Sequence, residues 1–167
     1  GSELITEKTD GAELEIETPP VVTTYDAANI DSSSVYLSGN VVSEGCPEVV
    51  VKGICWSMDE YPTAECNIWN GICGVTTDGN GSGEIKGSLK GLEHATTYYF
   101  RAYSTTASGE TEYGEQKSFT TLPVLPQVTT DIPSDITLTS AVSGGNAVSD
   151  GGADIIVRGI CWSILEN

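Results

Sequence analysis

Asp78, Asn80, Ser82 and Gly83 fall at the first, third, fifth and sixth positions of a calcium-loop pattern. That spacing lets short oxygen-bearing side chains converge on a hard cation. The twelfth position, where such loops need a bidentate Glu, is Leu89. The stretch therefore reads as a tight Gly-rich turn between strands, with Asp78, Asn80 and Ser82 a weak calcium candidate and no metal expected. His94 is the single histidine, which takes away the usual base of hydrolytic triads and the usual ligand of transition-metal sites. It reads as the cap of a surface loop. The acids are scattered over turns and strand ends rather than paired about a cleft, so no glycosidase pair, no other catalytic set and no cofactor is expected.

Binding chemistry has one candidate. Trp69 sits between Ile68 and Asn70 in a loop, where an indole makes a stacking platform for a sugar ring or a protein hot spot. Tyr61, Asn67 and Asn70 complete the candidate ligand set. The competing reading folds Trp69 back over its own sheet.

These residues hang on a repeat. Lys52-Gly53-Ile54-Cys55-Trp56-Ser57 returns as Arg158-Gly159-Ile160-Cys161-Trp162-Ser163, 106 residues later, and 20–61 aligns with 126–167 without a gap at 18 identities in 42 positions. A period of that size matches one small sandwich domain. Short β-branched or aromatic runs broken by Gly, Asn, Asp and Ser predict seven strands in the first unit, near 21–24, 34–42, 48–56, 67–75, 83–89, 97–104 and 112–120. Val35, Leu37, Gly39 and Val41 alternate with Tyr36, Ser38 and Asn40, as in a sheet with one buried face. In the third strand Lys52 and Trp56 would share a face, which predicts a bulge at Gly53.

The run from Leu92 through Thr96 and Tyr98 to Tyr103 resembles the entry to the sixth strand of fibronectin type III domains, where a tyrosine corner ties the strand to the preceding loop. With Gly53-Ile54-Cys55-Trp56-Ser57, the turn 77–83, Tyr113-Gly114 and Ser118-Phe119-Thr120-Thr121, the chain is similar to the fibronectin type III-like repeats of secreted bacterial surface proteins and lipoproteins, including those that accompany FISUMP-type domains. His94 stands where the fibronectin pattern has Pro, and the family Trp of the second strand is missing. The resemblance implies an all-β, immunoglobulin-like (fibronectin type III-like) β-sandwich, one complete repeat plus the first half of a second. It implies structural roles for Tyr98, Leu92 and Phe100, and Trp56 and Trp162, as repeat equivalents beside Lys52 and Arg158, read as packing residues. It also implies a non-catalytic spacer or adhesion module of a larger extracytoplasmic protein, at the cell surface or outer membrane and lipid-anchored. The alternative is a carbohydrate-binding module built on Trp69.

The expected layout is an acidic lead-in over 1–19, a sandwich over 20–121, a Pro-bounded linker over 122–125 and a partial second repeat over 126–167. Residues 11–18 alternate apolar and charged and line up with 114–121, so they could close a preceding unit. The lead-in carries no charged-then-apolar leader, so a secretory signal would have been removed already.

Five cysteines are an odd count. Cys55 and Cys161, repeat equivalents, read as small buried hydrophobes. An Asn70-Gly71 hairpin would hold Cys66 diagonal to Cys73 at roughly 7–8 Å, too far to bridge, so a disulfide needs a looser loop. In an extracytoplasmic protein Cys66–Cys73 is the favoured pair and Cys46–Cys73 its rival.

A net charge of −17, from 24 acids against 7 Lys and Arg, argues against nucleic acid, whose phosphates need clustered basic residues. No apolar run reaches the ~20 residues of a membrane span. The partners to expect are a protein or glycan at the cell surface. The second repeat supplies only counterparts of strands one to three. Their uncovered faces and edges predict association with a second copy.

Overall fold

A computed structural model describes residues 17–66 and 72–164. The first unit is an immunoglobulin-like β-sandwich. One sheet joins β1 (Val21–Thr24), β2 (Ser34–Ser43) and β5 (Gly83–Lys90), in the order β1-β2-β5. The other runs β4-β3-β6, from β4 (Cys73–Val75), β3 (Val49–Ser57) and β6 (Thr97–Thr106). The free edge of β6 is then shared by β7 (Thr111–Tyr113) and β8 (Lys117–Thr120). All pairs are antiparallel. This is the three-on-four arrangement of a fibronectin type III-like sandwich.

The alternation in β2 buries Val35, Leu37 and Val41, opposite Ile85 and Leu89 of β5. From the other sheet come Ile54, Tyr98, Phe100, Ala102 and Phe119. Burying an aromatic or branched side chain contributes on the order of 1.5–3 kcal/mol, so this shared face is the main source of stability. Gly39 lets the sheets close: a Cβ there would lie 2.6 Å from the Ala102 Cβ and 2.6 Å from the Thr23 carbonyl oxygen.

Two local expectations give way to contacts from distant parts of the chain. Gly53 is not a bulge, because β3 pairs with β6 in continuous register from Val51 to Ser57 and the irregularity falls between Val49 and Val51. Gly53 is needed because residues 76–81 cross beside it: a Cβ would lie 1.9 Å from the Thr76 carbonyl oxygen. Lys52 and Trp56 do share the inward side. The Lys52 ammonium reaches the sandwich end and donates to the Ser82 carbonyl at 2.9 Å, while Trp56 lies edge-on to Tyr98 with centroids 5.8 Å apart. The expected last strand, 112–120, is broken into β7 and β8. At the break Gly114 abuts Thr24, whose Oγ1 accepts the Ala102 N–H at 3.0 Å. That hydroxyl stands in for the missing ladder partner.

In the second unit β9 (Gln127–Thr130) and β10 (Gly145–Ser149) form a two-stranded sheet matching β1 and β2. The expected third strand does not form: 153–163 carry no ladder. Its equivalent in the first unit, β3, is held between β4 and β6, neighbours that 153–163 lack among the described residues.

Tyr98 is fully buried and its Oη accepts the Glu93 N–H at 3.0 Å. Tyr98→Phe leaves that N–H without its partner and is expected to cost on the order of 1–3 kcal/mol. An unchanged denaturation midpoint for the first unit would count against this corner.

Candidate functional site

The β3–β4 connection carries the candidate binding loop. Trp69, Asn67 and Asn70 lie outside the described residues. Tyr61 is 67% exposed, at a positive φ of 58°, and its N–H donates to the Gln116 side-chain oxygen. Ala64 N–H donates to Tyr113 Oη at 3.0 Å, and the Arg101 guanidinium lies 4.2 Å from the centre of the Tyr113 ring. This stack is worth about 0.5–1 kcal/mol at such a site. A Cys66–Cys73 disulfide, with a Cα–Cα distance of 6.0 Å, ties the connection to β4. The expected hairpin turn at 70–71 lies outside the described residues; Cys73 and Val75 of β4 pair with Ser57 and Cys55 of β3.

The same connection closes over Cys55. The thiol is fully buried and donates to the carbonyls of Pro62 at 3.3 Å and Arg101 at 3.5 Å. Burial pushes it up to about 11 from its ordinary 9.0, against the lowering influence of the nearby Arg101 charge. A thiol held protonated is a poor nucleophile. Cys161, its equivalent, is exposed, and Cys46 is half-buried. Trp162 is 86% exposed, whereas Trp56 packs against the core.

In the calcium-like turn one candidate carboxylate and one backbone carbonyl accept hydrogen bonds from within the fold. The Asp78 carboxylate accepts the Lys86 N–H at 2.7 Å, the Ser82 carbonyl takes the Lys52 ammonium, and the Ser82 N–H goes to the Glu44 carboxylate at 2.9 Å. An internal lysine thus supplies the positive charge in this turn. Among the described residues no cluster of three His, Cys, Asp or Glu could hold a metal.

The arrangement that sequence reasoning missed is the joint between the units. Leu122 N–H donates to the Asp31 carbonyl and Leu122 O accepts the Ala95 N–H, both at 3.2 Å, while Val124 N–H donates to the Gly151 carbonyl at 2.8 Å. Gly151 and Gly152 have φ of 73° and 86°. A Cβ on Gly151 would lie 2.1 Å from the Val124 carbonyl oxygen; one on Gly152 would lie 2.3 Å from the Ala95 Cβ and 3.5 Å from the His94 ring. His94 therefore stands at this seam. The signal was the Gly151-Gly152 pair, which alone specifies only a turn.

No family model matches the sequence and no curated protein does. Solved structures resemble it in fold alone. The sensor domain of the anti-sigma factor RsgI4 of Pseudobacteroides cellulosolvens is 20% identical over 63% of this chain and 96% of that one, with a TM-score of 0.41. The third fibronectin III domain of human KIAA0343 is 16% identical over 70% and 94%, at 0.45. Catalytically inactive OgpA of Akkermansia muciniphila, solved with an O-glycopeptide substrate, is 19% identical over 62% of this chain and 29% of that one, at 0.41.

The Cys55 thiol makes stability depend on alkaline pH. Its pKa is higher in the folded chain than in the unfolded one. The stabilisation is therefore complete below about pH 9 and is lost as pH rises towards 11, for a total of about 2–3 kcal/mol. Tyr103, whose phenol burial also pushes up, acts in the same sense at higher pH. Denaturation midpoints between pH 8 and 11 should fall for the wild type and fall less for Cys55→Ala; parallel curves would refute the assignment.

Proposed function

We propose that this chain is a non-catalytic tandem β-sandwich segment that spaces or presents an adhesive part of a larger extracytoplasmic bacterial protein. The observation that carries the reading is the joint: a four-residue linker with backbone hydrogen bonds to both units, and a glycine seat against which Ala95 rests. Such contacts hold two units at one angle, which is what a spacer must do and a flexible tether does not. Partners are then a protein or glycan at the cell surface. The carbohydrate-binding alternative retains Tyr61, exposed on a loop tied by a disulfide. It requires a glycan whose micromolar binding is lost on Tyr61→Ala and Trp69→Ala.

Gly152→Val places a side chain against Ala95 and is expected to release the second unit. Residual dipolar couplings of the first unit and of 145–152 should fit one alignment tensor in the wild type and two in the variant. Two tensors in the wild type would sink the spacer reading.

The second unit also leaves Val157, Ile160 and Trp162 exposed. A second copy covering these residues makes the chain a dimer, measured by light scattering against residues 1–125. Monomers in both cases would exclude it.

A further inference from the structure

We infer that the loop between β2 and β3 of the first unit is a second seat of the same kind, and that its occupant is another copy of this sandwich preceding it in the same polypeptide. The inference rests on the joint reading above, but its own evidence is separate. Gly45, at φ 70°, is the repeat equivalent of Gly151 at 73°. A Cβ on Gly45 would lie 1.9 Å from the Thr18 carbonyl oxygen and 2.9 Å from the Pro19 carbonyl carbon. On Gly151 it would meet the Val124 carbonyl oxygen at 2.1 Å and the Leu125 carbonyl carbon at 3.0 Å. Val124 and Leu125 are the repeat equivalents of Thr18 and Pro19. Each unit therefore receives the incoming chain in one glycine notch, and a Cβ would close either notch. In the first unit the contact is a reciprocal bridge, Thr18 N–H to the Cys46 carbonyl at 3.0 Å and Cys46 N–H to the Thr18 carbonyl at 2.9 Å.

The incoming chain has the sequence of a strand that closes a sandwich. Residues 11–18 share with 114–121 the opening Gly, the closing Thr and an apolar residue two places before it, Ile16 for the buried Phe119. Only Pro19 then separates Thr18 from Pro20, where 122–125 separate Thr121 from Pro126. In the first unit the strand end rests on the corner loop: Thr121 N–H goes to the Thr96 carbonyl at 3.0 Å and its hydroxyl to the Glu93 carbonyl. A copy that ends at Thr18 thus carries its own corner loop to within about one strand spacing, ~4.8 Å, of Gly45 and Cys46. The N–H that Thr121 gives to Thr96 is given there to Cys46, and the threonine hydroxyl keeps the corner contact. Cys46 has a side chain where Gly152 has none. The preceding copy therefore cannot repeat the first joint atom for atom, and the shorter connection seats its strand end rather than its linker.

The test lengthens the full chain at its front. In one hybrid residues 20–113 replace 1–10, so that 11–18 close the added copy; in another, residues 20–121 replace 1–18. The added copy carries Cys46→Ser, and alkylation by iodoacetamide is mapped at the remaining Cys46. The expected result is a slowing of about tenfold or more relative to the 1–167 chain, as burial gates access, with Cys161 unchanged and one alignment tensor for the added copy and the first unit. An added copy with protected amides but an unaltered Cys46 rate overturns the inference, and so does failure of the copy to fold in both hybrids. Couplings from 145–152 in the same samples report the first joint, so failure there is read separately.

Discussion

The sandwich depends on how closely its sheets approach at Ala102. Its Cβ occupies the space that a side chain at residue 39 would need, its N–H is bonded by Thr24 and its carbonyl accepts the Gly114 N–H. One small residue therefore fixes the first strand, the second, the sixth and the break between β7 and β8. A methyl group at position 39 would have to push the sheets apart, and overpacking of this kind costs about 1–3 kcal/mol. Around this point the ring of Phe119 stacks on Tyr98 and tilts against Phe100, with centroids 5.5 and 5.9 Å away. The aromatic core and the corner that enters β6 are thus one assembly.

The outer face of the second sheet follows from the same economy of side chains. Its centre, Cys55 and Tyr103, is buried although, among the described residues, no further strands layer on that side. The connection through Pro62 and Ala64 covers it, fixed to Tyr113 and by the Cys66–Cys73 disulfide. Tyr103 hydrogen-bonds the Thr76 carbonyl at 3.0 Å. The thiol, the phenol and the guanidinium all have partners within the fold, and among the described residues of the connection the ring of Tyr61 is exposed.

What was legible in the sequence is what neighbours along the chain determine. The alternation of Val35, Leu37 and Val41 needs only strand geometry, and the spacing of Leu92, Thr96 and Tyr98 needs only a strand start. The sandwich class followed from these and from the repeat. Gly53 was misread because its reason is Thr76, which no local pattern announces. The split of the last strand has the same origin in Thr24. Trp56 and Trp162 make the point most directly: they stand in the same five-residue motif, yet one packs on Tyr98 and the other is exposed, because burial belongs to the strands that cover a residue and not to its own segment. The candidate ligand set stays unassembled for a different reason, since Trp69, Asn67 and Asn70 fall outside the described residues.

The proposed spacer role requires something to keep two units at one angle. Charge is a natural suspect in a chain of net −17, but at physiological ionic strength repulsion is screened over about 8 Å, which makes it a contribution to solubility more than to direction. The backbone bonds of the joint act at contact distance and are nearly indifferent to salt. Two of these bonds tie the linker to the first unit and one ties it to the second, each worth roughly 0.5–1.5 kcal/mol. Pro123 and Pro126 restrict the linker before any contact forms, so little of that energy is lost to ordering it. In the proposed spacer, direction would come from Gly151 and Gly152, which let backbones touch, while the acidic surface would keep neighbouring molecules apart.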